Sequence, residues 1–135
     1  MADALYGWSA RPPLLSRMHV DTVLLEFEGV IADTAPARMS ALMRSLADEG
    51  VDLTEAEYQR ACAGFPPREA AIAAAALHRE TRLDDTALEL VALRAERYFA
   101  EDVGKGMELM PGAVELIQSM LGRTRLAIVT RASRR

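Results

Sequence analysis

The chain has 135 residues, half of them hydrophobic and 5% aromatic, with a net charge of −4. That length suits one ordinary domain, a domain with a small insertion, or part of something longer, and its core has to be aliphatic and alanine-rich. The acidic balance excludes the electrostatic footprint of a nucleic-acid binder, the single Cys62 excludes a disulfide framework, and no apolar run approaches the roughly 20 residues of a membrane span.

Cys62 reads as a buried free thiol, and His19 and His78 stand too far apart in sequence for a local metal motif. Basic residues number 16, and Lys105 is the only lysine among them. The first 20 residues carry no apolar signal-peptide region, so a cytoplasmic protein is expected.

In chain order, residues 1–19 read as an N-terminal extension, broken by Pro12-Pro13 and carrying the isolated aromatics Tyr6 and Trp8. Residues 20–28 are predicted to form a buried strand that delivers Glu26 and Glu28, followed by a turn at Gly29. Alternation along a strand puts residues i and i+2 on one side. The two carboxylates are therefore expected to converge at the strand's carboxyl end, where open α/β sheets place their sites.

A first helix follows, with Thr34 as N-cap, Pro36 just inside, and Met39, Leu42, Met43 and Leu46 at helical spacing up to Gly50. Thr54 and Glu57 form a predicted capping box for a second helix running to about Cys62. Gly64-Phe65-Pro66-Pro67 breaks the chain before an alanine-rich third helix from Arg68 to about Arg79. Asp84 or Asp85 caps a fourth, with Leu88, Val91, Ala92, Ala95 and Phe99 on one face.

Gly104-Lys105-Gly106 reads as a hinge. Pro111 opens a fifth helix with Val114, Ile117, Met120 and Leu121 facing inward, ended by Gly122. Arg125 to Thr130 reads as a second buried strand ending in a hydroxyl. Two strands amid this much helix imply an α/β fold with a parallel sheet. A two-stranded sheet is a poor free-standing core, so the chain reads as cut short after the second strand.

Two segments carry a resemblance to a known family. The first is Leu25-Glu26-Phe27-Glu28-Gly29-Val30-Ile31-Ala32-Asp33-Thr34. The second is Pro111-Gly112 leading to Ile117, then Leu126-Ala127-Ile128-Val129-Thr130-Arg131-Ala132-Ser133. Over about residues 20–135 the chain resembles the haloacid dehalogenase-like hydrolases, in the subgroup with a helical cap that includes β-phosphoglucomutase and phosphoglycolate phosphatase.

The resemblance implies a Rossmann-like parallel sheet, incomplete in this chain, with an inserted α-helical cap. It places the core in residues 20–34 and 107–135 and the cap in 35–106. It implies a Mg²⁺-dependent phosphatase or phosphomutase acting on a small phosphorylated metabolite. Carried over by position, Glu26 is the nucleophile, Glu28 the general acid and base, and Thr130 the hydroxyl that holds the transferring group. Glu26 and Glu28 are also the metal carboxylates, and Gly29, Arg68, Arg131 and Ala132 are the implied substrate contacts. Asp33 and Thr34 match the family's turn into the cap.

The match departs from the family pattern in three ways. Both motif aspartates are glutamates here, and the extra methylene lengthens each side chain by about 1.3 Å. A misplacement of about 1 Å at a reacting atom can cost on the order of 10²-fold in rate. The family's lysine after the second motif has no counterpart, since Lys105 precedes the second strand. The later acidic motif that completes the Mg²⁺ site has no counterpart within the 135 residues. The sequence therefore implies either an enzyme that is weak or inactive as this chain alone, or a non-catalytic relative that binds a metal, a phosphate ligand or a partner. It does not specify an oligomeric state.

Overall fold

The structure, a computed structural model, describes residues 20–78 and 80–130. The expectations for Tyr6, Trp8, Pro12-Pro13, Arg131 and Ala132 lie outside the described residues. Strand β1 (Thr22–Glu26) and strand β2 (Arg125–Val129) pair in parallel, in register from Thr22 opposite Arg125 to Glu26 opposite Val129. Between them run α1 (Ala35–Ala47), α2 (Glu55–Glu57) with a π-helical turn (Tyr58–Cys62), α3 (Pro67–Leu77), α4 (Asp85–Gly104) and α5 (Ala113–Met120).

The first strand is shorter than expected. Phe27 still donates its amide to the Val129 carbonyl at 3.0 Å, but its own carbonyl accepts from Ile31 and Ala32 at 3.1 and 3.0 Å. The chain turns at Gly29, whose φ of +76° belongs to the left-handed region that favours glycine. Beyond the turn, Asp33 donates its amide to the Glu108 carbonyl at 2.8 Å and Met110 donates to Ile31 at 2.9 Å. The segments leading into and out of the helical insertion are thus hydrogen-bonded side by side.

Local signals set the helix ends. At the end of α1, Val51 donates to Leu46 and Gly50 to Ala47, with Gly50 at φ +76°, the Schellman pattern that satisfies late carbonyls. Thr54 and Glu57 make the expected capping box before α2. Pro67 occupies the first turn of α3, where its missing amide costs nothing. Asp84 caps α4 by accepting from the Ala87 amide at 2.8 Å. Thr34 takes the N-cap position of α1 but makes no side-chain cap. Its backbone is helical (φ −95°, ψ −7°) rather than extended, so the hydroxyl is not aimed at the first amides.

The main core lies among the helices. Leu42, Leu46, Val51, Leu53, Tyr58, Cys62, Leu88 and Val91 pack with Ala70, Ala71, Ala74 and Ala95 in one buried cluster. The alanines leave little side-chain volume where α3 and α4 meet, so the two backbones approach closely. Ser45 ties α1 to α4 by donating its hydroxyl to the Val91 carbonyl at 2.8 Å.

The strands and α5 depart from expectation. Neither strand is buried: Leu24 is 66% exposed and Ile128 61%. Of the face expected to point inward from α5, Val114 and Leu121 are exposed, and Ala113 is the buried residue of that helix. A two-stranded sheet has two open faces and two open edges. Apolar runs report which residues suit a covered strand; they do not report whether anything covers it.

Candidate functional site

Because the strands are parallel, β1 and β2 finish on the same edge of the sheet. Glu26 is the last residue of β1, and Thr130 follows Val129, its register partner, by one position. The expected carboxylate and hydroxyl therefore stand at neighbouring strand ends. β1 ends at Glu26 and Glu28 sits in the turn, bridged to Ala32, so strand alternation does not by itself relate the two carboxylates.

The turn sends Glu28 toward α1. Arg38 donates from Nη2 to Glu28 Oε1 at 2.9 Å and from Nε to Oε2 at 3.3 Å. Thr34 donates its hydroxyl to the same Oε2 at 3.5 Å. The remaining arm of Arg38, Nη1, donates to Glu96 Oε1 on α4 at 2.8 Å, and the guanidinium lies 3.6 Å from the centre of the Phe99 ring. Burial works against the charge on Arg38, but the bond to Glu28 and the fields of Glu96 and Glu28 outweigh it, and its pKa is raised. This Glu28–Arg38–Glu96 array joins the turn after β1 to both α1 and α4.

The array borders a cavity of about 410 Å³ enclosed by the turn at Glu28 and Gly29, α1, the π-helical turn, the Gly64–Pro67 loop and α4. Gly29 lies on its wall. Arg68 does not. It donates to Glu89 at 2.6 Å and to Asp85 at 3.1 Å on α4, on the protein surface. The spacing from Gly64 puts Arg68 at the second position of α3, within reach of Asp85 and Glu89 on α4. Lys105 is likewise held locally, by Asp102 at 2.8 Å.

Arg38 and Glu96 are the site residues that sequence reasoning missed. They lie 58 positions apart, and no local spacing pairs them. The one available signal was an arginine four residues after Thr34 on the face of α1 that also carries Leu42.

The expected Mg²⁺ site is poorly served. Among the described residues, no group of three or more His, Cys, Asp and Glu side chains is arranged to hold a metal ion. Of the implied pair, Glu28 accepts from the Arg38 guanidinium on both oxygens, so a metal there would sit beside a positive charge. No described helix is long and apolar enough to cross a membrane. Cys62 is buried as expected, its thiol donating to the Ala70 carbonyl at 3.5 Å, and burial pushes its pKa up.

A parallel sheet whose paired strands are joined through a helical insertion, with an acidic residue and a threonine at their neighbouring ends, defines the architecture of the cap-bearing haloacid dehalogenase-like hydrolases. Solved structures bear out that fold. A predicted phosphoglycolate phosphatase from Haemophilus somnus 129PT superposes with a TM-score of 0.71 at 15% identity, over 84% of this chain and 52% of that one. CbbY from Rhodobacter sphaeroides, in complex with phosphate, gives 0.66 at 23% identity, over 84% and 52%. A haloacid dehalogenase-like family hydrolase from Streptococcus pneumoniae gives 0.65 at 16% identity, over 83% and 50%. The chain spans about half the length of these structures. No family model and no curated protein matches the sequence.

Proposed function

We infer that the chain carries the phosphoryl-handling strand ends of a phosphatase or phosphomutase that acts on a small phosphorylated metabolite, and that this chain alone is weak or inactive. The observation that carries the reading is the parallel register, which brings Glu26 and Thr130 to neighbouring strand ends. A solved neighbour with the same fold holds phosphate, which supports the substrate class. In this reading Glu26 attacks phosphorus, Thr130 donates to a phosphoryl oxygen, and Glu28 exchanges the proton with the leaving or attacking oxygen. Gly29 is a phosphoryl contact in this reading, and Arg68 remains a surface residue paired with Glu89 and Asp85. Mg²⁺ is the implied cofactor. The described donor set does not hold it, so no step is assigned to it.

Arg38 donates two N–H groups to Glu28, which ties the carboxylate implied as general acid and base to α1. The same clamp favours a second reading, in which the chain binds a phosphate ligand or partner without turnover. A continuous assay with an aryl phosphate and Mg²⁺ is expected to show no rate above background. Turnover that disappears in Glu26→Gln would overturn the weak-activity reading and establish the enzyme.

A further inference from the structure

The cavity beside Glu28 has a strongly uneven lining. Its walls are mostly carbon, from Ala41, Leu42, Phe65, Pro66, Ala70 and the Tyr58 ring, with the Thr34 and Tyr58 hydroxyls among them. Its charged groups are gathered at the Glu28–Arg38–Glu96 array. Gln59 is the further amide on the lining, and it lies against the Met39 sulfur at 4.0 Å.

Arg38 is the only cation among the described lining residues, and it is held between two carboxylates and against the Phe99 ring. The array therefore carries a net charge of −1, two carboxylates against one guanidinium. A second phosphate or a carboxylate on a ligand would meet an arginine already neutralised. A polyhydroxylated ligand would leave most of its hydroxyls against carbon, and each hydroxyl buried without a partner is costly.

The rim points the same way. Phe65 is 59% exposed, in the loop Gly64-Phe65-Pro66-Pro67. Pro66 and Pro67 restrict the backbone after the ring, and Pro67 begins α3. An exposed aromatic at the mouth of an apolar cavity supplies a large apolar contact area. The volume of about 410 Å³ falls within the range of small-molecule pockets, roughly 300–1,000 Å³.

We propose that this cavity takes an organic phosphate whose carbon part is apolar, an aryl or short alkyl group with no second anionic group. The phosphate half rests on the phosphoryl-transfer reading given above; the apolar half does not. The test uses the full chain with three probes, phenol, phenyl phosphate and glucose 6-phosphate, titrated by calorimetry or ligand-observed NMR.

Phenyl phosphate is expected to bind at least about tenfold tighter than glucose 6-phosphate, because its ring leaves water without stranding hydroxyls. Two exposed positions provide variants that leave the helical core alone: Ala63→Trp fills the cavity and Phe65→Ser strips its rim. Each is expected to weaken both phenyl probes by about fivefold or more with an unchanged circular dichroism spectrum. Phenol binding that both variants weaken, with no gain from the phosphate, supports the apolar selectivity and counts against the phosphoryl reading alone. Glucose 6-phosphate binding as tightly as phenyl phosphate, phenyl probes indifferent to both variants, or no binding of any probe overturns the proposal.

Discussion

Replacing Arg38 with methionine separates the array from the rest of the fold. The change keeps most of the aliphatic volume and removes the guanidinium. The Arg38 side chain is 22% exposed and that of Glu28 is 18% exposed. Ion pairs at the surface are worth about 0–1 kcal/mol, whereas breaking a buried pair costs about 3–5 kcal/mol. This pair lies between those limits, toward the buried one, and it also loses the contact with Phe99, worth about 1 kcal/mol. Arg38→Met is therefore expected to cost about 2–3 kcal/mol. Urea unfolding followed by circular dichroism reads the helices α1 to α4, and that cost lowers the midpoint by roughly 1–2 M. A double-mutant cycle with Glu28→Gln isolates the pair, with an expected coupling of about 1–2 kcal/mol. A loss below about 0.5 kcal/mol, or a coupling near zero, refutes the array as a structural tie.

Two further outcomes follow from the cap and the thiol. Bonding to Thr54 holds the Glu57 carboxyl below the usual glutamate range, and Lys105 does the same for Asp102. A lowered folded pKa contributes stability that is present above the unfolded value, about 4.3 for glutamate, and is lost as pH falls through the folded one. Thr54→Ala is expected to lower stability at neutral pH by about 1 kcal/mol and to flatten the acid limb below about pH 4; an unchanged acid limb in urea titrations contradicts this. Cys62, buried and with its thiol pKa raised, is expected to react with a disulfide reagent only as fast as the chain unfolds. Immediate reaction in buffer contradicts the packing of the π-helical turn against α3.

Much of the helical architecture was legible because its ends are written in short-range chemistry. Gly50, the Thr54–Glu57 box and Asp84 each act within a few residues of themselves, and the helix boundaries they mark are observed, while α3 begins at Pro67, one residue before the expected Arg68. The two parallel strands were legible for a similar reason, since an apolar run followed by a polar residue marks both, although β1 ends at Glu26 and not Glu28. The π-helical turn at Tyr58–Cys62, closed by Ala63 donating to the Tyr58 carbonyl at 2.9 Å, leaves no comparable trace.

Tertiary facts were not legible. The exposure of Ile128 and Val114 depends on neighbouring elements, not on their own side chains. Arg38 and Glu96 meet only because α1 packs on α4. Arg68 illustrates the converse: its spacing from Gly64 matched a ligand-binding arrangement, and two carboxylates on another helix took it instead.

If the neighbouring ends of β1 and β2 form the phosphoryl site, inorganic phosphate binds there. Titrating it into isotopically labelled chain and following the backbone amides is expected to shift Phe27, Gly29 and Thr130, with Arg68 and Lys105 unmoved. Shifts confined to Arg68 or Lys105, or none at the strand ends, would contradict a site there.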